Sequence, residues 1–195
     1  KRLKSARTIF PLFWYESINI TNIPQHLEFH TLTELRDLQS QKKKRIVPEV
    51  AERMSVTTKE TFEMDEELGQ LARIAKGRYY RSILLVGPSG SGKTALVREF
   101  ERTKESLGLP GLKLWEVTAA RLILKLSTGG GWQKNLSLVC EELAEYQESL
   151  FVPNFAQLFE VGRYIGNEIS IGEYLKDYIA RGQITLISEC TDEEF

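Results

Sequence analysis

The run Ser82-Ile83-Leu84-Leu85-Val86-Gly87-Pro88-Ser89-Gly90-Ser91-Gly92-Lys93-Thr94 leaves this chain few folds to choose from. Its apolar half reads as a buried strand, its glycines as a turn, and the segment from Thr94 to about Glu105 as a helix. From Gly87 the order is Gly, four residues, then Gly-Lys-Thr, the complete spacing of a phosphate-binding loop. Glycines are needed because backbone N–H groups can turn inward on a polyphosphate only where no Cβ intervenes. The helix that follows directs the positive end of its dipole to the same point. Gly87, Pro88, Ser89, Gly90, Ser91, Gly92, Lys93 and Thr94 are therefore the candidate nucleotide contacts. Lys93 is placed to reach the β and γ phosphates, and the Thr94 hydroxyl to take one position on Mg²⁺. A glycine-rich turn that binds nothing is the alternative; the full motif between strand and helix argues for the phosphate loop.

Composition narrows the class but not the partner. The chain has 195 residues, 42% of them hydrophobic and 27% charged, with a net charge of −1. That is enough for one domain, or one domain with an appendage. The near-neutral charge offers no whole-molecule attraction to nucleic acid or to a membrane surface. No apolar run approaches the ~20 residues a membrane span needs. Cys140 and Cys190 lack a neighbouring thiol or histidine and fall in apolar patterns, so two reduced, buried thiols are expected, in a reducing interior such as the cytoplasm.

Along the chain, residues 1–45 stand apart. Thr8 to Tyr15 is aromatic and strand-prone, with Pro11 demoting it to an edge or irregular strand, and Lys42-Lys43-Lys44-Arg45 closes the segment as a basic linker. A nucleic-acid contact would need more basic residues, with aromatics on the same face. Residues 46–195 read as one nucleotide-binding subdomain. Pro48 suits the first turn of a short helix from Val47 to Arg53, and Thr57 to Glu60 reads as a cap and connection. Leu68, Leu71, Ala72 and Ala75 give Asp65 to Lys76 one apolar helical face. After the loop helix, Leu112–Val117 is a strand, Thr118 caps a helix over Ala119–Leu126, and Trp132–Gln147 is a long helix. Ser149–Val152 is a third strand, Ile171–Ala180 a helix, and Ile184–Ser188 a fourth strand. Strand and helix alternate, which predicts an α/β fold with a parallel sheet covered on both faces.

From about Thr61 to Phe195, this order resembles the large subdomain of an AAA+ ATPase of the Clp and heat-shock disaggregase type. The residues that carry the resemblance are Asp65-Glu66-Glu67-Leu68 before the loop strand, the phosphate loop itself, Gly130-Gly131-Trp132-Gln133-Lys134-Asn135-Leu136, and Leu175-Lys176 with Ala180-Arg181-Gly182-Gln183-Ile184. The resemblance implies a P-loop three-layer sandwich that binds ATP or ADP with Mg²⁺. It also implies a homo- or hetero-oligomer of AAA+ subunits, with a protein substrate or a protease as partner.

Departures from the family pattern limit what carries over. The family ends its third strand in an Asp that orients Mg²⁺ and a Glu that activates water, the Walker B acids; here Pro153 and Asn154 stand there. Proline has no side-chain oxygen, and a neutral amide cannot accept a proton as a base. The pore-loop aromatic falls near Thr128, and Trp132, as the first residue of an amphipathic helix, is expected to be packed. Thr191 matches the sensor whose hydroxyl reads the γ phosphate, and Glu189, two residues earlier, is a candidate substitute acid. The sequence stops before the family's arginine fingers, fifth strand and helical lid, so a fragment of a longer protein is expected, with the loop strand at a sheet edge.

The expected function is an ATP-binding Clp-like module, slow or deficient in hydrolysis. The alternatives are an active ATP-hydrolysing remodeller that uses a different acid, and a scaffold that does not need nucleotide.

Overall fold

The alternation of side chains along one strand explains the layers of this molecule. In β4 (Ser149–Val152) all four residues are buried. Leu150 and Val152 enter one apolar cluster, and Phe151 enters a second on the opposite face. Successive side chains on a strand point to opposite faces, so a strand this apolar must be covered twice. The computed structural model describes residues 45–56, 64–77, 81–128 and 131–195. They belong to a unit running from Arg45 to Phe195. The strand-prone segment 1–44, with Lys42 to Lys44 of the basic run, the cap at Thr57 to Glu60, and Gly129-Gly130 lie outside the described residues.

The element order is α1 (Val47–Val50), β1 (Glu52–Arg53), α2 (Asp65–Ala75), β2 (Ile83–Val86), α3 (Lys93–Thr103), β3 (Leu114–Glu116), α4 (Ala119–Leu126), α5 (Trp132–Tyr146), β4, α6 (Gln157–Glu160), α7 (Ile171–Ala180) and β5 (Thr185–Cys190). The strands form one sheet in the order β1-β3-β4-β5-β2. β3, β4, β5 and β2 run parallel; β1 joins antiparallel to β3. Leu68 and Leu71 of α2 and Leu96, Val97 and Phe100 of α3 cover the face that carries Phe151 and Ile187. Residues of α1, α4, α5, α6 and α7 cover the face that carries Leu150 and Leu186. The result is the three-layer α/β sandwich expected from the alternation of elements.

Local signals set several of these boundaries. The Thr118 hydroxyl accepts the Arg121 N–H at 3.2 Å and starts α4. Ser170 and Glu173 form a reciprocal capping box at the head of α7. Hydrogen bonds from the Ser170 amide and hydroxyl, with one from Arg163, hold the Glu173 carboxyl down at about 2.

Three elements depart from the periodicity. The helix predicted for Val47–Arg53 ends at Val50, because Ala51 is extended and Glu52 and Arg53 pair with Glu116 and Trp115. Arg53 lies over the Trp115 ring and bonds Glu101 at 3.3 Å, so tertiary contacts override the local helical pattern. The short helix α6 follows Asn154, whose Oδ1 accepts the Gln157 N–H at 3.1 Å. Finally, β5 runs past Ser188 through Glu189 and Cys190, both buried and paired with Leu85 and Val86.

Arg45 is fastened into this unit. Its guanidinium bonds Glu142 at 2.6 Å, pairs with Glu148, and lies 4.2 Å from the Tyr146 ring centroid. Burial pushes the Glu148 carboxyl up, but hydrogen bonds from Arg45, Trp115 and Lys113 outweigh it and hold the group below its usual range. A depressed carboxylate stabilises the fold fully above its unfolded pKa and loses that contribution as pH falls through the folded value. Glu148→Ala is therefore expected to cost about 1–3 kcal/mol in urea unfolding at pH 7, because it leaves the buried Trp115 indole N–H without its acceptor while Arg45 keeps Glu142. The gap between variant and wild type should narrow below about pH 4.

Candidate nucleotide site

The site is assembled where β2 ends and α3 begins, beside the carboxyl end of β5. The Gly87 N–H donates to the Cys190 carbonyl at 3.3 Å, tying the first glycine of the loop to the last residue of β5. Gly90 and Gly92 adopt φ of 80° and 87°, in the left-handed region where a side chain is strained. A Cβ on Gly92 would also lie 2.8 Å from Met64 Cε. The Gly92 carbonyl accepts the Leu96 N–H at 2.8 Å, so the helix starts as the loop closes. Lys93 curls back over the loop, donating to the Gly87 and Pro88 carbonyls at 2.7 and 2.8 Å.

The loop opens on a cavity of about 510 Å³ lined by Ser89 to Ala95, Pro153, Asn154, Glu189, Cys190, Thr191 and Glu194. The Thr94 hydroxyl donates to Glu189 Oε1 at 2.7 Å. The other oxygen of Glu189 is buried and has no hydrogen-bond partner. The second carboxylate in the lining, Glu194, accepts the Thr191 N–H at 2.8 Å, while Thr191 Oγ1 accepts the Glu194 N–H at 3.2 Å. Burial raises the Cys190 thiol, so it stays protonated at neutral pH.

A magnesium ion fits the chemistry of this donor set. The Thr94 hydroxyl and the unpartnered Glu189 oxygen are hard oxygen donors at the head of a phosphate loop. Mg²⁺ typically takes one or two carboxylates and fills its other positions with water and nucleotide phosphates. Among the described residues no group of three or more His, Cys, Asp or Glu side chains could hold a metal ion. Any cation here depends on a nucleotide for its remaining ligands.

The sequence-predicted residues are thus brought together: Ser89 to Thr94, Glu189 and Thr191 face one cavity, and Gly87 and Pro88 hold Lys93 from behind. Pro153 and Asn154 lie at its wall, one and two residues beyond β4. Trp132 is packed, its indole donating to the Gly162 carbonyl at 3.1 Å and its ring edge-on to Tyr174. Glu194 escapes a reading of the sequence, although Thr191-Asp192-Glu193-Glu194 carries the spacing of a capping box.

No family model matches the sequence. The chain is 28% identical over 138 residues to the chaperone protein ClpB of Mycoplasma genitalium, covering 67% of this chain and 19% of that protein. It is 27% identical over 135 residues to ClpB of Tropheryma whipplei, again covering 67% and 19%. Among solved structures, the S. cerevisiae Hsp104–ADP complex matches with a TM-score of 0.56 at 24% identity, covering 69% of this chain and 23% of that one. The extended Hsp104–casein complex matches at 0.60 and 22%, covering 77% and 27%. The chain resembles AAA+ ATPases of the Clp and heat-shock disaggregase type. It spans about a fifth of the length of the curated relatives it matches, 19% for both ClpB proteins above. The likeness to the Hsp104 structures is one of fold; in this chain the phosphate loop lies between β2 and α3.

Two substitutions check the loop. Lys93→Ala removes a cation bonded to loop carbonyls and should weaken fluorescent ATP-analogue binding about 10- to 100-fold with the melting temperature little changed. Gly92→Ala places a side chain at φ 87° and is expected to cost about 1–2 kcal/mol in stability, with nucleotide binding reduced as well.

Proposed function

We propose that the unit Arg45–Phe195 forms the ATP-binding AAA+ module of a Clp-like chaperone or protease-associated ATPase, with the residues before it as an appendage and basic linker; Arg45, expected in that linker, belongs to the module. The module holds ATP or ADP with Mg²⁺ and hydrolyses ATP slowly. The observation that carries this reading is that a complete phosphate loop shares its cavity with Pro153 and Asn154, the first two residues beyond β4.

The loop amides, the dipole of α3 and Lys93 bind and orient the phosphates. Mg²⁺, when bound, offsets phosphate charge. Proton removal from an attacking water is where the site falls short. Pro153 has no acceptor, and the Asn154 oxygen is already committed to the Gln157 N–H. Glu189 is bonded by Thr94 through one oxygen and its other oxygen is buried away from solvent, and Glu194 is bonded by Thr191. General-base catalysis contributes about 10²–10⁴-fold, so its loss leaves binding while turnover falls by that order.

Nucleotide occupancy then stabilises an oligomer of AAA+ subunits or a partner surface, and the partner class is a protein substrate or a protease. Similar structures include Hsp104 with ADP, with ATPγS and FITC-casein, and with casein, which supports nucleotide and polypeptide as the ligands. Cys140 and Cys190 are free and buried, and no described helix is long and apolar enough to cross a membrane. We place the module in the cytoplasm. An active remodeller using Glu189 as the base is the second reading; the Thr94 bond to that carboxylate weighs against it.

The reading is tested by loading the protein with Mg-ATP, removing free nucleotide after an hour, and identifying the bound species by chromatography. Retained ATP is expected; bound ADP would overturn slow hydrolysis. Asn154→Glu, which installs a base beside the cavity, should raise steady-state turnover about 10²- to 10⁴-fold.

A further inference from the structure

We infer that Glu189 is the carboxylate that positions the metal of bound nucleotide through Thr94, supplied by β5 where the family pattern uses the end of the adjacent strand. This rests on the nucleotide-binding reading above and deepens it.

The register carries the inference. The last pair between β4 and β5 is Val152 with Ser188. The next residues along the two strands are Pro153 and Glu189. By alternation both belong to the face of Phe151 and Ile187, the face that α3 covers. The strand ends stay together there, because the Phe155 N–H donates to the Glu189 carbonyl at 2.9 Å. An acid missing at Pro153 is thus present one strand over, at the same level of the sheet.

The surroundings of the carboxylate point to a cation. Glu189 is 9% exposed, one oxygen bonds the Thr94 hydroxyl, and the other is buried without a partner. Burying a carboxylate oxygen without a partner is unfavourable unless a ligand supplies one. Lys93 is the one cation among the described residues lining the cavity, and its ammonium is turned to the Gly87 and Pro88 carbonyls. A divalent ion brought in by nucleotide phosphates satisfies this oxygen and offsets its charge. Glu189 is accordingly a positioning residue that acts through Thr94 and the metal. Metal orientation and proton abstraction are separated in this site: the first is retained on β5, the second is missing from β4.

The test measures ATP affinity of the full 195-residue chain by calorimetry in excess Mg²⁺ and in EDTA, and the affinity of the ATP complex for Mn²⁺ by electron paramagnetic resonance. Wild type should bind ATP more tightly with metal. Glu189→Gln should lose about 10- to 100-fold of Mn²⁺ affinity, with ATP binding in EDTA equal or tighter. Adding Pro153→Asp to Glu189→Gln should restore metal dependence. Full metal-dependent tightening in a folded Glu189→Gln overturns the inference. Should that variant fail to fold, wild type decides: Mn²⁺ held no tighter by the complex than by free ATP also overturns it. Equal wild-type ATP affinity in Mg²⁺ and EDTA removes this inference alone. No wild-type binding in either buffer removes the nucleotide reading and the inference with it.

Discussion

The seating of β5 between β4 and β2 is the constraint on which the candidate site depends. All six of its residues are buried, and it pairs in parallel with both neighbours. That pairing places Glu189 opposite Leu85 and Cys190 opposite Val86, at the point where the chain leaves β2 for the phosphate loop. The Cys190 carbonyl takes the Gly87 N–H, and the Glu189 carboxylate takes the Thr94 hydroxyl, so one strand grips both ends of the loop. A slip of one residue would turn Glu189 to the opposite face of the sheet and put Ser188 or Cys190 beside α3. The apolar neighbours Leu186 and Ile187 pack into opposite clusters and resist such a slip.

What the sequence makes legible follows from how local each signal is. The phosphate loop can be read because its function needs glycines, lysine and threonine at fixed spacing. Helix α4 matches its predicted bounds because Thr118 caps it and its apolar period is clean. β4 matches because four buried residues leave no other reading. The pairs that are not legible depend on partners distant in sequence. Glu52 and Arg53 are strand only because Glu116 and Trp115 lie alongside. Glu189 reads as the residue after a strand, since an acid breaks an apolar run. It lies inside the strand, and its charge is tolerated because a hydroxyl 95 positions away meets it.

The same distinction governs the chemistry. Pro153 and Asn154 stand after β4 where the resemblance leads one to expect acids, and in one dimension this reads as a loss. The neighbour relation of Pro153 and Glu189 exists only once β4 and β5 are in register. Asn154 likewise serves the local backbone. Its amide oxygen accepts the Gln157 N–H and starts α6, a bond that a nearby polar residue can make without any role at the phosphates.

Binding and turnover make different demands on such a site. Holding a nucleotide needs directed amides, a helix terminus, a lysine and an anchored cation, all properties of a fixed scaffold. Hydrolysis adds a base of suitable pKa within reach of one water, and that requirement is met or missed by a single side chain. Here the scaffold is tied together by β5 at Gly87 and at Thr94, while the lining carboxylates are each engaged by a neighbour. Under the function proposed above, a site built this way favours occupancy over turnover. On that proposal the bound state would last as long as nucleotide dissociation allows, which would suit control of assembly by occupancy better than a cycle driven by repeated hydrolysis.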